Sequence, residues 1–86
     1  MDKETLIPQL QKQIVDYLNL EEIQPDEIDP NESLFSEEIG LDSIDALELI
    51  VLMQNEYEIQ IEDPKQGRDV LNSVNSMADF IIKEKG

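Results

Sequence analysis

Residues 37–49, EEIGLDSIDALEL, decide how this chain folds. Gly40 punctuates the chain, and Asp42 and Ser43 are both residue types that open helices. From Ile44 onward apolar residues return at helical spacing with acids between them, so the stretch marks a turn and then the start of an amphipathic helix. Extended through DSIDALELIVLMQNEY, two apolar stripes, Ile44–Leu47–Val51 and Ala46–Ile50–Met53–Tyr57, merge into one broad face that should be buried. This predicts a helix over about 43–57. Asp45 and Glu48 lie three residues apart and share one exposed face. With Asp42 they put negative charge at the end of the helix where its dipole favours it.

Towards the N-terminus, TLIPQLQKQIVDYLNL carries Ile7, Leu10, Ile14, Tyr17 and Leu18 on one stripe, which predicts a first helix over roughly 5–19. Thr5 is the expected cap, with Pro8 harmless in the first turn; an earlier start would require a kink. From Glu21 to Leu41 no period emerges, and QPDEIDPNES is rich in turn formers. So long a connection needs tying down, and Ile23, Ile28, Leu34, Phe35, Ile39 and Leu41 are apolar pegs that should pack it over the core. SLFSEEIG reads as a short helical turn ending at Gly40. Past the central helix, EIQIEDPKQG alternates briefly like a strand but has no partner strand, so an extended loop is expected. RDVLNS reads as a helix of about five residues, and SVNSMADFIIKEK as one of about ten, capped by Ser73. The expected fold class is all-α: a small four-helix bundle of three longer helices and one short one, with a long loop between helices 1 and 2. A single domain over residues 1–86 is expected.

The charge is lopsided. The net is −15, from 21 acidic and six basic residues. None of the bases (Lys3, Lys12, Lys65, Arg68, Lys83, Lys85) falls between Gln13 and Pro64, an interval that holds 16 of the acids. A one-sign middle repels nucleic acid and anionic membrane and steers basic protein surfaces towards itself. No run is apolar for anything near 18 residues, and the N-terminus lacks a basic region followed by an apolar one. A monomeric cytoplasmic protein with no stable membrane insertion and no nucleic-acid partner is expected.

Cysteine and histidine are absent, which removes disulfides, protein thiolates and the commonest general base. Ser43 therefore has no base to activate it as a nucleophile, since the nearest lysines in sequence are Lys12 and Lys65. A carboxylate pair of Asp45 and Glu48 would stand on an exposed helix face, in a chain expected to be too short for a substrate cleft. DPNESLFSEEIG, residues 29–40, begins like a calcium-binding EF-hand loop, but Leu34 and Gly40 stand where that loop needs glycine and glutamate. Two readings of Ser43 remain. It caps the helix, or it is a modification site reached by another protein's active site, where helix N–H groups suit a phosphate ester.

GLDSIDALEL, residues 40–49, resembles the phosphopantetheine attachment motif of the acyl carrier protein family, in which Asp-Ser-Leu opens the second helix. The likeness covers the whole chain: helix, long loop, Asp-Ser helix, short third helix, and a last helix begun by SVNSMADFI. It implies a non-catalytic carrier whose Ser43 receives a 4'-phosphopantetheine arm from coenzyme A through a phosphopantetheinyl transferase. It also implies acyl groups held as thioesters on the arm's thiol, and partners of the acyl-transferring and ketoacyl-synthase type with basic docking patches, recognising Asp42, Asp45 and Glu48. The acidity and DALEL favour fatty acid or related polyketide-type synthesis, and thus lipid metabolism. The alternatives are an aminoacyl (D-alanyl-type) carrier and an acidic interaction module with no cofactor. Ile44 replaces the family's usual leucine, and Gln54 and Asn55 stand where acids are common, which shortens the expected recognition surface towards Asp45 and Glu48.

Overall fold

A computed structural model of the chain describes residues 2–37 and 39–85. Four helices follow in order: α1 (Lys3–Leu18), α2 (Ser43–Tyr57), α3 (Pro64–Val70) and α4 (Val74–Lys85), with a 3₁₀ turn at Pro25–Glu27 inside the long loop. Three helices are long and one is short, and no strand occurs among the described residues. The expected all-α bundle is the observed one.

Each helix begins where a side chain can hold its first N–H groups. Asp2 opens α1, its carboxylate accepting the Glu4 N–H at 3.2 Å. The helix thus starts earlier than a Thr5 cap predicted, and it runs on through Pro8. Proline there deprives the Glu4 carbonyl of its helical donor. Glu4 is exposed, so water can serve that carbonyl instead. Asp63 caps α3 in the same way, accepting the Lys65 N–H at 2.9 Å. This draws PKQG, expected to be loop, into the helix. At α4 the expected Ser73 cap is present and reciprocal: Ser76 N–H donates to Ser73 Oγ (3.1 Å), and Ser73 N–H donates to Ser76 Oγ (2.9 Å). The α2 boundaries match those read from the sequence.

The core is apolar and continuous, built from Leu10, Ile14, Leu49, Leu52, Met77 and Ile81 among others. Helix α1 packs against α2, α4 and the 3₁₀ turn, while α3 leans on α4. Tyr57 fastens the end of α2 to α1, donating to Gln13 Oε1 (2.5 Å) and accepting from Gln9 Nε2 (3.1 Å). The long loop is held as its apolar pegs predicted: Ile28, Leu34 and Leu41 are buried. Hydrogen bonds reinforce them. The buried Gln11 amide donates to the Ile28 carbonyl, and the Leu34 N–H donates to the Asn72 carbonyl at 2.7 Å. The Asn75 N–H donates to the Pro30 carbonyl at 2.9 Å. Phe35 departs from the expectation and stays exposed.

The loop ends in a compact reversal. Gly40 has φ +74°, a left-handed conformation that glycine takes without strain. Its N–H donates to the Ser36 carbonyl at 2.6 Å, and the Leu41 N–H returns to the Leu34 carbonyl at 3.2 Å. With Leu41 pinned in the core, Asp42 and Ser43 emerge at the surface in a fixed place.

Candidate functional site

The capping question at the start of α2 has a structural answer. Asp42, in extended conformation, is the N-cap. One of its carboxylate oxygens, Oδ1, accepts both the Ile44 and the Asp45 N–H groups at 3.0 Å. Asp45 reciprocates, its Oδ2 accepting the Asp42 N–H at 3.1 Å, which completes a capping box. Ser43 is the first helical residue and is exposed, and its hydroxyl has no hydrogen-bond partner among the described residues. The helix end needs nothing from Ser43.

That arrangement alters two expectations. The N–H groups expected to suit a phosphate ester are partly taken, because Asp42 already holds those of Ile44 and Asp45. Asp45 is also not a free surface acid: it is half-buried and committed to the capping box, whereas Asp42 and Glu48 are exposed. Neither ion pair found among the described residues, Lys3–Asp79 at 2.8 Å and Lys85–Glu58 at 3.9 Å, involves an acid of α2 or Asp42.

The face of α2 beside Ser43 also differs from its expected burial. Ile44, Leu47 and Val51 are 70%, 61% and 41% exposed. The second stripe is buried as expected, with Met53 and Tyr57 in the core and Ala46 and Ile50 half-buried. Two merged stripes are wider than the surface α1 and the loop can cover, so the helix turns Ile44, Leu47, Glu48 and Val51 outward together. The sequence did carry the signal, since an apolar face that broad exceeds what one packing contact in a small bundle can bury.

Ser43 stands on the rim of a cleft of about 640 Å³ between α2, α3 and the loop. Ala46, Leu47 and Ile50 form one wall, Ile61, Gly67 and Leu71 another, and Phe35 lies at the loop side. Ser33, Glu62, Asp63, Arg68 and Asn72 supply a polar edge. The chain was expected to be too short for such a cleft. It forms because α3 is brief and leans on α4, leaving the adjacent side of α2 uncovered. Neither Asp45 nor Glu48 lines the cleft, so the pair has no enclosed space in which to act as acid and base. Among the described residues no group of three acidic side chains is placed to hold a metal ion.

An exposed, uncommitted serine hydroxyl at the mouth of an apolar cleft is the geometry a covalent arm with an apolar load requires. Comparison with known proteins identifies the family. Residues 9–81 match the family model described as the phosphopantetheine attachment site. The chain belongs to the acyl carrier protein family. It is 37% identical over 62 residues to an acyl carrier protein of Chlorobium phaeobacteroides, covering 72% of this chain and 76% of that protein. An acyl carrier protein of Cyanidioschyzon merolae is 27% identical over 85 residues, 99% of this chain and 87% of that protein.

This acyl carrier protein family member is thus a carrier rather than a catalyst, its group is phosphopantetheine, and synthase and transferase enzymes are its partners in general terms. The residues present fit that group. The surface of the cleft is mainly apolar, and its rim carries the Asn72 amide, the Ser33 hydroxyl and the Arg68 guanidinium beside the carboxylates of Glu62 and Asp63. No helix among the described residues is long and apolar enough to cross a membrane. Phosphopantetheine when bound supplies the thiol that this cysteine-free chain lacks.

Proposed function

We propose that this chain carries acyl intermediates of fatty acid or related polyketide-type synthesis on an arm attached to Ser43. The observation that supports this reading above all is the division of labour at the start of α2. Asp42 satisfies the helix end, so the neighbouring hydroxyl stands free, exposed and on the rim of the cleft. A serine kept for capping would point its oxygen at the N–H groups that Asp42 already holds.

Each part of the chain's own structure has a role in this reading. The Gly40 reversal and the buried Leu41 hold Ser43 out where a phosphopantetheinyl transferase can reach it. The apolar walls around Ile50, Ile61 and Leu71 shelter an acyl chain from water. Ile44, Leu47 and Val51 give a partner an apolar contact beside the arm. The exposed acids Asp42 and Glu48, with Asp45 behind them, orient a basic patch on that partner and speed its approach. The cytoplasm is the compartment this reading assigns, and residues 1–86 act as one carrier domain. Phosphopantetheine as the family's group answers the alternative of a cofactor-free acidic module. An aminoacyl cargo of the D-alanyl type has no feature in its favour here, since the cleft walls are apolar.

The test is an intact mass. Incubated with coenzyme A and a broad-specificity phosphopantetheinyl transferase, the chain should gain one phosphopantetheinyl unit and one thiol. Ser43→Ala should fold and gain neither. A wild-type chain left unmodified by an active transferase overturns the carrier reading at Ser43, and so does a Ser43→Ala chain that is still modified.

A further inference from the structure

Gly67 lies in the middle of α3 and is buried. Its backbone gives no reason for glycine. The residue is helical, with no left-handed φ, and its N–H and carbonyl make ordinary helical bonds to Asp63 and Leu71, both 2.9 Å. Glycine inside a helix is less stable than alanine. There is also room for alanine: a Cβ at this position would meet the Ile61 Cγ2 at 3.4 Å, at the near limit of ordinary contact. Helix propensity therefore favours a side chain that the space admits, and the chain has none.

What a side chain would cost is cleft. Gly67 and Ile61 both line the cavity on whose rim Ser43 stands. We propose that Gly67 sets the clearance of this cleft, so that its bare Cα leaves the wall beside Ile61 open to an acyl chain and fixes how much chain can enter. The inference rests on the carrier reading at Ser43. A Cβ already touches Ile61, so any atom beyond it must project into the cleft or displace Ile61. The competing explanation is close packing, with glycine needed only to let the 59–63 segment approach α3. The two differ in sign. If packing demanded glycine, alanine would destabilise the unloaded chain; if clearance demanded it, alanine would stabilise that chain and shrink the space.

The experiment uses wild type, Gly67→Ala and Gly67→Ala/Ile61→Ala. Each is melted unloaded, then loaded by a transferase from acyl-coenzyme A of increasing chain length, with loading confirmed by mass. Amide chemical shifts of Ile50, Ile61 and Leu71 report entry of the chain. Unloaded Gly67→Ala should melt higher, by on the order of 5 °C. Its shifts should stop growing at a chain shorter by about one or two methylenes, because cores respond to single-methylene changes in volume. The double variant adds one carbon at residue 67 and removes three at Ile61, so it should admit at least the wild-type length. Lower melting of Gly67→Ala, or a length profile identical to wild type, overturns the role of Gly67. A wild type that loads but shifts only around Ser43 overturns it too, while leaving the attachment reading intact. No mass gain in wild type overturns both.

Discussion

Replacing Asp42 and Ser43 by alanine, one at a time, separates two functions that their adjacency hides. Asp42→Ala removes the oxygen that accepts both the Ile44 and the Asp45 N–H groups at 3.0 Å, and leaves the Asp45 carboxylate reaching back from an uncapped helix. Loss of an N-cap of this type costs about 1 kcal/mol, within a range of about 0.5–2. Two donors lose their partner here, so the upper half of that range is expected. In a domain of this size about 1 kcal/mol lowers the melting temperature by about 4–8 °C. Ser43→Ala removes no hydrogen bond to a described residue and puts the best helix former at the first helical position. Its effect should stay within about 0.5 kcal/mol. Thermal melts followed by circular dichroism, on unmodified protein at fixed ionic strength, measure both. Asp42→Asn is the control, since it keeps a capping oxygen while removing charge; it should lose less than Asp42→Ala. If Ser43→Ala costs as much as Asp42→Ala, the hydroxyl is part of the cap and the division of labour proposed for this turn is wrong.

Other outcomes follow from neighbouring features. Gly40→Ala must hold a left-handed φ of +74° and should lose about 1–2 kcal/mol, read as a lower urea midpoint with unchanged slope. Added salt should raise the melting temperature, because among the described acids between Gln13 and Pro64 only Glu58 has an ion-pair partner; Mg²⁺ and monovalent salt at equal ionic strength should differ little. Burial raises the Tyr57 phenol above its usual range, and only the bond it accepts from Gln9 pulls the other way. The unfolded chain therefore loses this proton first, and stability, full below pH of about 10, should fall as pH rises beyond it; Tyr57→Phe should lose that alkaline step. Glu48→Lys and Leu47→Ser should leave melting nearly unchanged but slow arm transfer from coenzyme A at low salt, measured by the rate of mass gain; unchanged rates in both would remove the docking role of this face.

The bundle was legible because its helices announce themselves through period and caps: α2 was placed at about 43–57 by the Asp42–Ser43 pair and by the apolar repeat that stops at Tyr57, and the structure then chose Asp42 as the cap. The errors share a cause. Caps compete, and the sequence alone could not show that Asp2 outbids Thr5 or that Asp63 recruits PKQG into α3, since the brief strand-like alternation of EIQIEDPKQG reads as an extended loop. Burial was misjudged on the Ile44–Leu47–Val51 stripe because periodicity reports which residues share a face and not whether a neighbour covers it. The cleft depends on how α3 leans, which is a tertiary fact. Gly67 was passed over as an ordinary loop glycine, and only its helical, buried setting makes it a question.

The exposed stripe on α2 also limits how tightly any partner can hold this carrier. Fully burying a large aliphatic side chain gains about 1.5–3 kcal/mol. Ile44, Leu47 and Val51 still expose 70%, 61% and 41% of their surface, so a partner that covers all three gains about 2.5–5 kcal/mol from them. Association itself costs an estimated 4–15 kcal/mol in lost freedom, so this apolar contact cannot make a long-lived complex unaided. The acids around it add little lasting affinity, because exposed pairs contribute about 0–1 kcal/mol each, but they accelerate encounter and choose basic partners. A surface built this way binds quickly and lets go quickly, and its affinity weakens with salt. Those are the properties the docking role proposed for α2 demands if one load is presented to several enzymes in turn, and that role would account for apolar residues that a protein selected for stability alone would bury.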